Sequence, residues 1–242
     1  MSIEPKEIIV GGIRVAVIHK AIKNLHLGVY PPNGRVRIAA PLAMSDAAIR
    51  LAAVRKLGWI KRNKRRFQEQ PRQSAREMVN GESHYYLGQR YRLRVVEVDG
   101  APKVDFSGGS VIKLYVRPHS TADVRLEVLQ SWYRQRLKDM IPPLLEQWQD
   151  ALGVRVTHWG VKKMKTRWGT CNPTAKRIWL NLELVKKPAR CLELILVHEL
   201  VHLIERKHND RFVTIMNKHL PKWKLYRSEL AVAPLGHDVW EY

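Results

Sequence analysis

LVHELVHLIERKHNDRF, residues 196–212, sets His198, Glu199 and His202 among Leu196, Val197, Leu200, Val201, Leu203 and Ile204. A helix this apolar that carries three polar groups must pair them or bind them to something, because burying them bare is costly. Each residue of an α-helix advances about 100°, so His198 and His202 stand about 40° apart, one turn from each other on one face. Their ring nitrogens are spaced to share a metal ion. Glu199, beside that face, is placed to reach a water that the ion acidifies, which is the H-E-x-x-H arrangement.

A third ligand is needed. Glu205 lies on the same face one turn further on, but three side chains along one straight helix spread over about 10 Å. They do not converge on a tetrahedral ion. His208 follows Arg206-Lys207, which lead out of the helix, and precedes Asn209-Asp210, which start another, so it is the preferred third ligand. Three protein ligands with an open fourth position describe a catalytic zinc site. The expectation is one Zn²⁺ ion held by His198, His202 and His208, with Glu199 as the general base of a metal-assisted hydrolysis. Tyr226, Arg167 or a backbone N–H of an edge strand are the candidates for steadying an oxyanion.

The rest of the chain must supply a frame for that helix. Its 242 residues suffice for one large domain or two modest ones, and 45% hydrophobic against 27% charged residues allows a real core. No run approaches the roughly 18 apolar residues of a membrane span. The opening MSIEPKEIIVGG has early acids and no long apolar segment, unlike a secretion signal. Cys171 and Cys191 are too few for a disulfide framework and are expected to be packing groups in a cytoplasmic protein. Lys and Arg number 43 against 22 Asp and Glu, a net +21 that attracts polyanions, nucleic acid and nucleotides among them, without saying which.

The first forty residues, with EIIV, IRVAVIH, LHLGVY and RVRIAA between GG and PPNG, predict a meander of short hairpins. A helix follows, capped by Ser45, with Ile49, Ala53, Leu57, Ile60 and Phe67 on one face, a basic end KRNKRR, and a stop at Pro71. Residues 82 to 116 return to strands; Tyr91, Leu93 and Val95 share one face and Arg90, Arg92 and Arg94 the other. Residues 121 to 153 read as a long helix interrupted at Pro142 and Pro143 and stopped at Gly153. A second, smaller sheet comes next. Then Pro188 opens the metal helix, Asn209 or Asp210 caps another, and Pro221 opens a last one. No internal repeat is visible. The fold class is α+β, with a β-rich part over 1–120 and a small metal-binding core over 121–242.

Several of these segments together resemble the YgjP-like metallopeptidase family, related to the SprT and WLM groups of zincin-type proteins. The resemblance is carried by MKTRWGTC (164–171), IWLNLELVKKP (178–188), the metal helix and its tail, and LPKW (220–223). Upstream, APLAMSDAAI, LGWIKRNKRRF, YLGQRYRLRV and WYRQRL also fit, so it spans nearly the whole chain. The family commonly has Ser at Thr170, Asn-His-Ser at Lys207-His208-Asn209, and an aromatic residue at Val213. The resemblance implies zinc ligands His198, His202 and His208, a catalytic Glu199 and a zincin-like core. No firm role for Arg167-Trp168-Gly169 follows from it.

Three functions are in view. A zinc peptidase would lay its peptide or protein substrate along an edge strand, for which IWLNLEL (178–184) is the expected edge. A nucleoside triphosphate pyrophosphatase or phosphohydrolase would use the same metal-activated water, and the +21 charge suits its substrate, although phosphoryl sites favour Mg²⁺ held by carboxylates. A SprT-like protease would act on proteins bound to nucleic acid.

Overall fold

The computed structural model describes residues 6–30, 33–69, 76–164 and 167–232. They form an α+β protein whose chain divides near residue 72 into two compact units, each with its own buried cluster. The division falls well before the change of composition near 120, because the strands after residue 82 share one buried cluster with the later helices.

In the first unit, strands β1 (Lys6–Val10), β2 (Ile13–Lys20), β3 (His26–Tyr30) and β4 (Arg35–Pro41) form one sheet in the order β1-β2-β4-β3. This is not the expected meander. β4 lies parallel to β2 and antiparallel to β3, so it fills the place beside β2 that a meander would give to β3. Val15, Val17, Val36, Ile38 and Ala40 point to one side, where helices α1 (Asp46–Arg55) and α2 (Leu57–Glu69) cover them with Ile49, Ala53 and Ile60. Ser45 caps α1 as expected, its hydroxyl accepting from Ala48 N at 3.3 Å. The single expected helix breaks at Lys56, whose φ of −101° leaves the helical range. Pro71 lies outside the described residues.

The second unit begins with a sheet of β5 (Ser83–Tyr86), β6 (Gln89–Glu97), β7 (Lys103–Asp105) and β8 (Val111–Val116) in the order β5-β6-β8-β7. Leu93 is buried while Arg90, Arg92 and Arg94 are exposed, as the alternation predicted. Helix α3 (Ala122–Leu152) packs on this sheet; Tyr133 donates from its hydroxyl to Tyr85 O at 2.8 Å. α3 runs unbroken through Pro142 and Pro143, because Leu137 and Ile141 before them and Leu145 and Trp148 after them are all buried. Packing on both sides outweighs the two backbone bonds that the prolines cannot make. Gly153 ends the helix at φ 65°.

A three-stranded sheet follows: β9 (His158–Lys162), β10 (Gly169–Asn172) and β11 (Arg177–Asn181), in the order β10-β11-β9. A 3-10 turn at Leu182–Lys186 leads to α4 (Ala189–Val201), then α5 (Asp210–His219) and α6 (Trp223–Val232). Trp148 Nε1 donates to Glu193 at 3.1 Å and ties α3 to α4.

The two four-stranded sheets repeat one topology, a repeat that the sequence reading did not find. Each is a hairpin, a strand parallel to the second hairpin strand, and an antiparallel edge strand inserted before it in sequence. The hairpin ends Val10↔Ile13 and Tyr86↔Gln89 correspond, as do the helix caps Ser45 and Thr121, at a constant spacing of 76 residues. Buried Val36, Ile38 and Ala40 answer to buried Ile112, Leu114 and Val116 at the same spacing.

Candidate metal centre

α4 is buried along most of its length, through Cys191, Leu192, Leu194, Leu196, Val197, Leu200 and Val201. Pro188 stands at its N-cap, where a missing N–H costs nothing. The helix stops at Val201 with His202 as its C-cap, shorter than the 188–205 read from the sequence. The chain then turns through 202–207, and Asn209 caps α5, its side chain accepting from Phe212 N at 3.0 Å.

That turn carries His208 back over the helix. His208 Nε2 lies 3.0 Å from His198 Nε2, and candidate ligand atoms of His198, His202 and His208 all lie within 4.8 Å of one another. Two nitrogens bound to one tetrahedral zinc at about 2.0 Å would stand ~3.3 Å apart, and the His198–His208 pair, at 3.0 Å, is close to that spacing. The three ring centroids are 4.8–4.9 Å apart, and buried Phe212 lies 4.7–5.0 Å from each, forming an apolar floor.

His202 Nδ1 lies 3.1 Å from the carbonyl of Glu205. A carbonyl only accepts, so Nδ1 carries the proton and Nε2 keeps its lone pair, the usual outer support of a metal-binding histidine. Glu205 contributes this backbone oxygen, while its carboxylate accepts from Lys207 N at 3.0 Å and holds the turn. It is not one of the converging groups. Burial, then the mutual repulsion of the rings, pushes the His198 pKa down to about 4; burial likewise lowers His202. Neutral imidazoles are what a cation needs.

Glu199 is buried, and burial pushes its pKa up to about 7, against the pull of Arg167. β10 lies directly over it. A Cβ on Gly169 would come within 2.6 Å of Glu199 Oε1 and 2.8 Å of Ile195 Cγ2, so only glycine lets the strand approach this closely. This gives the Arg-Trp-Gly segment the physical role that the sequence withheld.

The sequence reading also missed Asn181. Its Nδ2 donates to Met164 O at 2.8 Å and Arg167 O at 2.7 Å; its Oδ1 accepts from Met164 N at 3.3 Å and Glu183 N at 3.2 Å; its backbone N donates to Trp168 O at 2.9 Å. One buried amide thus pins both flanks of the loop that delivers Gly169 to Glu199. The residue sits in the quoted NLEL segment, but a lone asparagine gives no signal of five bonds. Buried Lys187 adds to the same loop, its ammonium 5.5 Å from the Trp168 ring centroid.

One expectation is corrected. β11, taken as the exposed edge, is the middle strand; the edge beside the site is β10. Tyr226 accepts through its carbonyl from Cys191 Sγ at 3.9 Å, which ties α6 to α4. Both cysteines are free thiols, as expected, their pKa values raised to about 11 mainly by burial.

No curated protein matches the chain. Among solved structures, it is similar to the crystal structure of the metallopeptidase zymogen of Pyrococcus abyssi abylysin, at 22% identity and a TM-score of 0.34, over 39% of this chain and 90% of that one. A model of the YgjP-like metallopeptidase domain matches residues 23–233, more than half of the sequence. The chain belongs to the YgjP-like metallopeptidase family.

Proposed function

We propose that the protein is a zinc peptidase with a zincin-like core, in which His198, His202 and His208 hold one Zn²⁺ and Glu199 is the general base. The convergence of three imidazoles, one fixed in its tautomer by the Glu205 carbonyl, carries this reading. A divalent ion in that set supplies Lewis acidity and brings the pKa of water toward neutrality.

The chain's own groups do the rest. Glu199 takes a proton from the attacking water on a carboxylate oxygen and returns it to the leaving amine. Its raised pKa suits both steps, since a base near neutrality accepts and releases a proton with little penalty. Phe212 and the apolar face of α4 keep bulk water away. The β10 edge, Gly169–Asn172, lies outermost in its sheet among the described residues and would offer its backbone to an extended substrate. Arg167, exposed and close enough to act on Glu199, is the side chain placed to steady negative charge.

Among the described residues, this triad is the cluster that could hold a metal; no group of three carboxylates of the Mg²⁺ kind accompanies it. The phosphohydrolase reading therefore gains nothing from the site, and no helix among the described residues is long and apolar enough to cross a membrane.

The test uses the zinc-loaded protein, a mixed peptide library and nucleoside triphosphates side by side. Peptide cleavage should stop with a chelator and fall about 100- to 10,000-fold in Glu199→Gln, which should still carry one equivalent of zinc. Cleavage that survives in Glu199→Gln removes the residue from the reaction, and phosphate release without peptide cleavage overturns the peptidase reading.

A further inference from the structure

The two copies of the repeated sheet differ on their helix side. In the second copy, Trp132 of α3 packs 5.0 Å from Tyr86 and 6.0 Å from Phe106, and Tyr91 packs 4.9 Å from Phe106, which closes the space between helix and sheet. At the corresponding places, 76 residues earlier, the first copy has Lys56 for Trp132, Val10 for Tyr86, Val15 for Tyr91 and Tyr30 for Phe106. The indole on the helix thus has no aromatic counterpart. Lys56, at its place, lines a groove of about 430 Å³ with Leu25, Leu27, Ala52, Arg55 and Trp59.

The groove runs beside β3, which among the described residues is an edge strand. The opposite edge of the sheet, β1, is blunted: Arg50 Nη1 donates to Ile9 O at 3.2 Å, and Lys6 pairs with Asp46. β3 has Trp59, 39% exposed, at its flank. Residues 1–72 carry 15 Lys and Arg against 4 Asp and Glu, a denser positive charge than in the chain as a whole.

An edge strand offers backbone pairing, an apolar trough takes every second side chain, and cations on the rim select negative charge. We infer that this groove is a docking site for an extended acidic polypeptide segment, which adds to β3 as a fifth strand. It places alternate apolar side chains against Leu27 and Trp59 and its carboxylates toward Arg55 and Lys56. A nucleic acid fits less well, since the lining is mainly apolar and its two cations do not make the long basic track that a phosphate backbone follows. The inference does not rest on the peptidase reading.

The test is fluorescence anisotropy with the full chain carrying Glu199→Gln, loaded with zinc. The probe is a labelled eight-residue peptide alternating Glu and Val, with a Lys-Val peptide and an oligothymidine as competitors. The acidic peptide should bind, and Trp59→Ala or Arg55→Glu with Lys56→Glu should weaken it at least tenfold. Lys56→Trp, which restores the plug of the other copy, should abolish binding while leaving thermal unfolding unchanged. Arg14→Glu, on the other face of the sheet, should change affinity less than twofold. The inference is overturned by no binding, by equal loss in Arg14→Glu, by equal binding of the Lys-Val peptide, or by oligothymidine displacing the probe with the same dependence on Trp59. Binding by a chain whose wild-type form cleaves nothing would leave the groove standing and sink only the peptidase reading.

Discussion

The sheet of the first unit and the first sheet of the second unit share strand order, strand sense and the capped helix that follows, yet they serve different surroundings. In the second, the hairpin turn is a clamp. Leu87 N donates to Val185 O at 2.9 Å and Gly88 N to Lys186 O at 3.2 Å, so the turn grips the segment that leads into α4. In the first, the matching Gly11-Gly12 turn grips no such segment among the described residues: Gly11 faces Leu57, and a Cβ at Gly12 would meet nothing within 4 Å. The second copy also buries His84 where the first has buried Ile8. One topology has become a support for a site in one place and a sheet with an open groove in the other. The difference lies in what its turn and its helix side touch.

The largest effect that bears on this contrast is metal removal. A ligand at a thousand times its dissociation constant adds about 4 kcal/mol to the unit that binds it. Stripping zinc should therefore lower the melting of the second unit and leave that of the first in place, followed by calorimetry with Trp59 fluorescence resolved in a chain whose other tryptophans are replaced by Phe. Equal shifts in both would break the distinction between support and open sheet.

A smaller effect separates His84 from Ile8. Burial first, then the charge of Arg76, pushes the His84 pKa down to about 4, although Glu82 pulls the other way. The unfolded chain titrates this group near 6.5, so between pH 6.5 and 4 only the unfolded state takes up the proton. Stability should be full above pH 6.5 and fall toward pH 4 by an amount on the order of 3 kcal/mol. Denaturant unfolding across that range should show the slope in the wild type and its flattening in His84→Leu. An unchanged slope in the variant assigns the acid sensitivity elsewhere.

The smallest effect compares the two turns directly. Gly88 and Gly12 have φ of 82° and 77°. Alanine in that region costs about 1–2 kcal/mol at either place. At Gly88 the new Cβ would also stand 2.9 Å from Pro188 Cγ and 3.0 Å from Pro188 N, so Gly88→Ala should cost the larger amount and reduce peptide cleavage, while Gly12→Ala pays for φ alone. Equal stability losses, with activity intact in both, would mean that the clamp is not needed.

Legibility followed locality. The i, i+4 histidines, the Ser45 cap and the Gly153 stop are set by residues within one or two turns, and each stands where the sequence put it; of the two caps offered for α5, Asn209 is the one formed. The repeat escaped because little beyond a turn glycine and a helix cap recurs as a residue type: Val15 and Val17 answer to Tyr91 and Leu93, and any apolar side chain of the right parity satisfies a sheet face. Asn181 escaped because its five bonds run to a loop 13 to 17 residues away and to its own turn.

The sequence by itself determined that α4 and its C-cap would present two imidazoles and a carboxylate on neighbouring faces, because helical pitch leaves no other arrangement. Only the tertiary structure decided that β10, not β11, lies at the edge over Glu199, and that one sheet's helix side is plugged and the other's open. Strand neighbours and filled volumes depend on pairings between distant segments, and those energies are nearly indifferent to which apolar residues supply them.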